Sequence, residues 1–137
     1  MKKLIVICCL FCASNSFAFD EWTNTNTALQ VTYSILHILD WGQTLHQAKQ
    51  NWKYTKTISN SNGTTCTAYK IEESNFILGD HPSQTKVNLY FASTLLLHPV
   101  VSYALPKVWR ESWQTAGIGL EIYVVGKNFT VGLNGLF

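Results

Sequence analysis

Thr27–Lys49 reads TALQVTYSILHILDWGQTLHQAK, and the way its polar residues recur decides the fold. Advancing about 100° per residue puts His37, Asp40, Trp41 and Thr44 on one face, with Gln43 beside them. Val31, Ile35 and Ile38 fall on the opposite face, which is wholly apolar. This period predicts an amphipathic helix of about the length that crosses a bilayer, although the run is not uniformly apolar.

Two further stretches repeat the pattern. Ser83–Leu105 (SQTKVNLYFASTLLLHPVVSYAL) gathers Asn88, Thr94, His98 and Ser102 within one arc and leaves Leu89, Leu96 and Val100 opposite. Val108–Lys127 (VWRESWQTAGIGLEIYVVGK) aligns Arg110, Gln114, Gly117 and Glu121, continued by Asn128, with Ile118 and Val125 assigned to the apolar side. Ser83, after Pro82, is placed to cap the second helix, Pro106 separates it from the third, and Pro99 is expected to kink it.

Amphipathic helices pack in two ways. In water the apolar faces turn inward; in a membrane the polar stripes face one another and the apolar faces meet lipid. These stripes hold few Lys or Glu and many amide, imidazole and aromatic groups, so the membrane arrangement is expected, with a small exported soluble helical protein as the alternative. Trp41, Trp109 and Trp113 suit interfacial anchoring near helix ends. Lys49, Lys53, Lys56, Lys70 and Lys86 cluster on the first connection, which the positive-inside rule makes cytoplasmic, with the mature N-terminus outside and the C-terminus inside.

The remainder of the 137 residues fits this frame. Lys2 and Lys3, the apolar run Leu4–Cys12 and the small-residue stretch Ala13–Ala18 form the layout of a signal peptide over 1–18, cleaved before Phe19. Cys8, Cys9 and Cys12 depart with it, leaving Cys66 and no internal disulfide. The mature chain has eight basic residues against eight acidic ones, and no basic patch argues for nucleic acid. Residues 19–137 are read as one helical membrane domain, with 50–82 a partly flexible connection turning at Ser59–Thr65. The tail Phe129–Phe137 alternates like a strand. The expected class is mainly α: a signal peptide, then a bundle of three short membrane helices with a strand-like tail.

Asp40, Glu73, His81 and His98 are the candidate catalytic residues, since two carboxylates and two imidazoles could serve a metal-dependent hydrolase within the membrane. No H-E-x-x-H or comparable ligand spacing occurs, so no metal is assigned, and nothing calls for a cofactor. The competing expectation is that these groups hydrogen-bond across helices and fix their packing. Thr44, Asn75 and Glu121 are candidate binding residues. An intramembrane acid such as Asp40 or Glu121 can also mark an ion or proton path.

Asp40-Trp41-Gly42-Gln43-Thr44, followed by Glu73-Ser74-Asn75-Phe76-Ile77-Leu78-Gly79-Asp80-His81-Pro82, resembles the pattern D-W-x-Q-T … E-x-N-P-x-L-G-x-H-P of small integral membrane proteins of bacteria and their phages. Phe76 stands where the pattern has Pro, and the loop ahead of Glu73 is longer. The resemblance implies a membrane protein and draws attention to Asp40, Thr44, Glu73, Asn75 and His81; it implies no activity. The expected protein is therefore non-enzymatic and envelope-associated or phage-related. Its expected partners are the lipid bilayer and another membrane protein or a second copy, and its expected place is the inner membrane, with the outer membrane or periplasm as alternatives.

Overall fold

A capping box starts the first helix: Thr23 Oγ1 accepts from the Asn26 amide at 3.1 Å, and Asn26 Oδ1 accepts from the Thr23 amide at 3.2 Å. Helix α1 then runs Asn24–Lys49, somewhat earlier than the pattern alone places it. Ser83 caps α2, Gln84–Ala104, accepting from the Lys86 amide at 3.3 Å as its position predicts. Helix α3, Lys107–Thr130, begins just after Pro106. The computed structural model describes residues 21–60, 63–70, 72–73 and 75–130, with the backbone alone for 54–60 and 63–70. The expected signal peptide lies outside these residues.

The protein is mainly α, with α1 packed against both other helices and little contact between α2 and α3. The three expected helices are all present. Helix α2 continues through Pro99. Helix α3 continues through Phe129 and Thr130, the first two residues of the expected strand-like tail; the rest of that tail lies outside the described residues.

The connection contains an element that the sequence reading did not anticipate. Strands β1 (Lys53–Asn60) and β2 (Gly63–Lys70) pair antiparallel from Lys53↔Lys70 to Asn60↔Gly63. The chain thus reverses within the stretch expected to turn. Asn51 and Trp52, at φ 54° and 59°, bend the chain sharply out of α1 and bring the Trp52 indole inward. Trp52 packs with Ala48, Leu78, Val87 and Phe91 in an apolar core at the end of the bundle where α1 finishes and α2 begins. Its Nε1 donates to Pro82 O at 3.1 Å.

Along the bundle itself polarity is inverted. The fully buried side chains include Arg110, Gln43, Gln114, Asn26 and Ser102, whereas Val31, Ile35, Leu89, Leu96, Val100, Leu120 and Ile122 are exposed. The polar stripes face one another, and the apolar faces point outward. One assignment needs correcting: Val125 is buried, not on the outer face. It follows Glu121 by four residues, and that spacing returns a helical side chain to the same side. Among the described residues no helix is long and apolar enough to cross a membrane. Each helix has the necessary length, about 30 to 40 Å at 1.5 Å per residue, but its mean hydropathy averages an apolar face with a polar one.

Candidate functional site: a polar seam inside the bundle

The buried face of α1 is spaced alternately by four and three residues: Asn26, Gln30, Tyr33, His37, Asp40, Thr44, Gln47. This is the repeat by which two helices keep one seam in contact, occupied here by polar side chains. Helix α2 meets it with Thr94, His98 and Ser102, and α3 with Arg110, Gln114, Gly117, Glu121 and Asn128.

At one end the Arg110 guanidinium anchors the seam. Its Nε donates to Ser102 O at 2.9 Å, and its terminal nitrogens donate to Leu105 O at 3.1 Å, Glu21 O at 3.3 Å and Asn26 Oδ1 at 3.4 Å. The group also lies 5.4 Å from the Trp22 ring centroid. Because arginine only donates, Asn26 turns its Oδ1 toward it and its Nδ2 away. Asn26 Nδ2 donates to Gln114 Oε1 at 3.3 Å; Gln114 Nε2 donates to Asn26 O at 3.1 Å and to Gln30 Oε1 at 3.5 Å. Gln30 Oε1 is therefore an acceptor. The proton of His98 lies on Nδ1, 3.0 Å from it, and His98 Nε2 presents a bare lone pair.

The middle of the seam holds His37. Its Nδ1 lies 2.7 Å from Glu121 Oε1 and its Nε2 lies 2.7 Å from Thr94 Oγ1. Thr94 has one hydroxyl hydrogen, directed at the carbonyls of Tyr90 (2.9 Å) and Phe91 (3.1 Å) one turn back, so it accepts from His37 Nε2–H. One proton is then shared between His37 Nδ1 and Glu121 Oε1, and the pair is electrically neutral wherever that proton sits. Tyr33 stacks on both imidazoles, at 5.3 Å from His37 and 3.6 Å from His98, and Trp113 covers the other side of His98 at 5.3 Å.

Toward the far end Asn128 Nδ2 donates to Asp40 Oδ1 at 2.8 Å and to Gln43 Oε1 at 3.0 Å, joining α3 to α1. Trp41 Nε1 reaches Asn88 Oδ1 of α2 at 2.9 Å. Thr44 is buried one turn beyond Asp40. The D-W-x-Q-T stretch thus links α1 to both of its neighbours.

The other motif residues build the connection. Glu73 Oε1 accepts from the Asn75 amide at 3.0 Å, and Asn75 Oδ1 accepts from the Ile77 amide at 3.0 Å. This turn ends at Gly79, whose φ of +74° suits glycine. It drives Leu78 into the apolar core, where Lys86 Nζ holds the Leu78 carbonyl at 2.6 Å. His81 is exposed, edge-on to Trp52 at 6.2 Å. Among the described residues no hydrogen bond joins any two of the candidate catalytic residues Asp40, Glu73, His81 and His98, although the Glu73 carboxylate bears electrostatically on Asp40. Among the described residues no three His, Cys, Asp or Glu side chains could hold a metal ion.

The structure instead brings together His98 and Glu121, two of the expected residues, with His37, Tyr33, Gln30 and Thr94. His37 and Thr94 were visible as stripe residues without a role. Gln30, Tyr33 and Asn26 were missed, although stepping back from His37 by four, three and four residues reaches each of them. No family model matches this chain, and neither the curated proteins nor the solved structures contain a similar one.

Proposed function

We propose that this chain is a small membrane protein of the cell envelope that works without catalysis, its three helices lying in the bilayer around a polar seam and acting on a neighbouring membrane protein or on the envelope itself. The inverted polarity of the bundle carries this reading. Arg110 and Gln114 are 0 % exposed, whereas Leu96 is 70 % and Ile122 57 % exposed. In water, solvation would favour the opposite arrangement, at roughly 25 cal/mol per Å² of apolar surface left out. In lipid, the outer face needs no cover, and the buried groups satisfy one another.

The low mean hydropathy of each helix follows from the same arrangement, because one face is spent on the seam. The apolar core around Trp52 and the lysines of the connection lie at the end expected on the cytoplasmic side, where the chain leaves the bilayer. Non-enzymatic action is favoured because the conspicuous acids and imidazoles are largely committed to interhelical or backbone partners.

Alkaline carbonate extraction of membranes carrying the full chain tests the location. The protein is expected in the pellet and in the detergent phase after partition; release into the carbonate supernatant contradicts the reading. Reporters fused after Ser61 and after Phe137 test the orientation, and both are expected to be active on the cytoplasmic side.

A further inference from the structure

The two ends of the bundle differ in charge. Arg110, at the start of α3, bonds the end of α2 and the residue ahead of α1, while Asn128 and Trp41 tie the opposite ends of the same helices together. Lys49 in the last turn of α1, Lys86 in the first turn of α2 and Lys127 in the last turn of α3 therefore stand at one end. Lys53 follows where the chain leaves α1, and the hairpin register sets Lys70 directly opposite it. With Lys56 on β1, six lysines meet Glu72, Glu73 and Asp80 here, an excess of three positive charges. At the other end Lys107 and Arg110 balance Glu21 and Glu111 among the described residues. Lys49, Lys53, Lys86 and Lys127 are all exposed, and none of them pairs with a carboxylate among the described residues. Glu73 is turned away from them, to the Asn75 amide.

These lysines sit at a particular depth. At about 1.5 Å per residue, Lys49, Lys86 and Lys127 lie about 12 to 19 Å along the axis from the midpoints of their helices. Half of a hydrocarbon core is about 15 Å. On the membrane reading, on which this step rests, that is where phosphate-bearing headgroups begin, and the long lysine stems extend to reach them. A zwitterionic headgroup carries its own cation and offers this end no net charge; an anionic one does. We propose that this end of the bundle binds anionic phospholipid, its lysines gathering headgroups of the phosphatidylglycerol type around the helices in preference to zwitterionic ones.

The full chain in phosphatidylcholine liposomes, with a trace of spin-labelled phosphatidylglycerol or spin-labelled phosphatidylcholine, tests this. Electron spin resonance reads the fraction of each label immobilised at the protein. The phosphatidylglycerol label is expected to be enriched at least about threefold over the other, and the enrichment should fall as salt rises. Lys49→Gln, Lys53→Gln and Lys127→Gln combined should bring it close to the phosphatidylcholine level. These three side chains are exposed and lie outside the seam, so the fold should stand; Lys86, which holds the Leu78 carbonyl, is left in place. Inorganic phosphate should displace the label no better than chloride of equal ionic strength. Equal immobilisation of the two labels, or an enrichment that survives the triple substitution, would overturn the proposal. Displacement by phosphate beyond that by chloride would also overturn it, by giving the lysines to a free anion. None of these outcomes bears on carbonate extraction, so the lipid preference and the membrane reading can fail separately.

Discussion

His37 Nδ1 and Glu121 Oε1, 84 residues apart in sequence, meet at 2.7 Å and tie the middle of α1 to the middle of α3. Thr94 holds the other side of the same imidazole, so one ring joins all three helices. Glu121→Leu strands His37 Nδ1 in a buried site and should cost about 1 to 3 kcal/mol, whereas Glu121→Gln retains an oxygen acceptor and should cost less. Unfolding in detergent by urea or by added dodecyl sulfate measures both. In a double-mutant cycle with His37→Phe, the combined loss should fall short of the sum of the single losses.

Asp40 and Asn128 provide the equivalent link at the other end of the seam. Asp40→Asn keeps an acceptor for the Asn128 amide, so the protein should accumulate normally. Asp40→Leu leaves that donor unpaired and should lower stability by about 1 to 3 kcal/mol, read as reduced steady-state protein. Normal accumulation of Asp40→Leu would mean that the seam is solvated. Loss of a wild-type phenotype in well-accumulated Asp40→Asn would instead assign the acid a functional role beyond packing.

The fold was legible in the sequence where a single period governed it. The three helices and their polar stripes follow from residues such as His37, Asp40, His98, Gln114 and Glu121 recurring every three or four positions. The hairpin was not: KYTKTISN and GTTCTAYK are polar enough to read as linker, and a Thr-rich composition alone is a weak strand signal. The candidate site was legible in part. His98 and Glu121 were singled out, but their relation to Gln30 and Tyr33 depends on the exact pitch of α1 against its neighbours. Glu73 and His81 stand out in the sequence as titratable groups; in the structure Glu73 closes a local turn, with its charge felt at Asp40, and His81 rests on Trp52.

Gly117 marks the closest approach of α3 to the imidazole cluster. A Cβ there would sit 2.9 Å from His98 Nε2 and 3.1 Å from the Tyr33 ring. Gly117→Ala should therefore destabilise by about 1 to 3 kcal/mol through overpacking. Gly119 and Gly126 have nothing within 4 Å of an added Cβ, and alanine at either should stabilise by up to about 1 kcal/mol by raising helix propensity. Thermal unfolding of the three variants in one detergent distinguishes the cases.

Arg110 is expected to resist conservative change. Its planar fork reaches the carbonyls of Ser102 and Leu105 at the end of α2 and of Glu21 ahead of α1, which a lysine ammonium cannot reach together. Arg110→Lys should lose at least about 2 kcal/mol, because several buried carbonyls lose their donor at once. Unfolding of this variant alongside Arg110→Leu measures the loss.

The outward face of α2 offers the most direct test of the inverted bundle. Spin labels are placed singly at Leu96, on that face, and at Phe76, on the connection and 92 % exposed, in a background whose other cysteines are serine and with the protein in liposomes. Membrane embedding predicts that the Leu96 label is relaxed strongly by oxygen and weakly by a water-soluble nickel chelate, with the reverse at Phe76. Strong relaxation of the Leu96 label by the nickel chelate would contradict it and place the apolar face of this bundle in water.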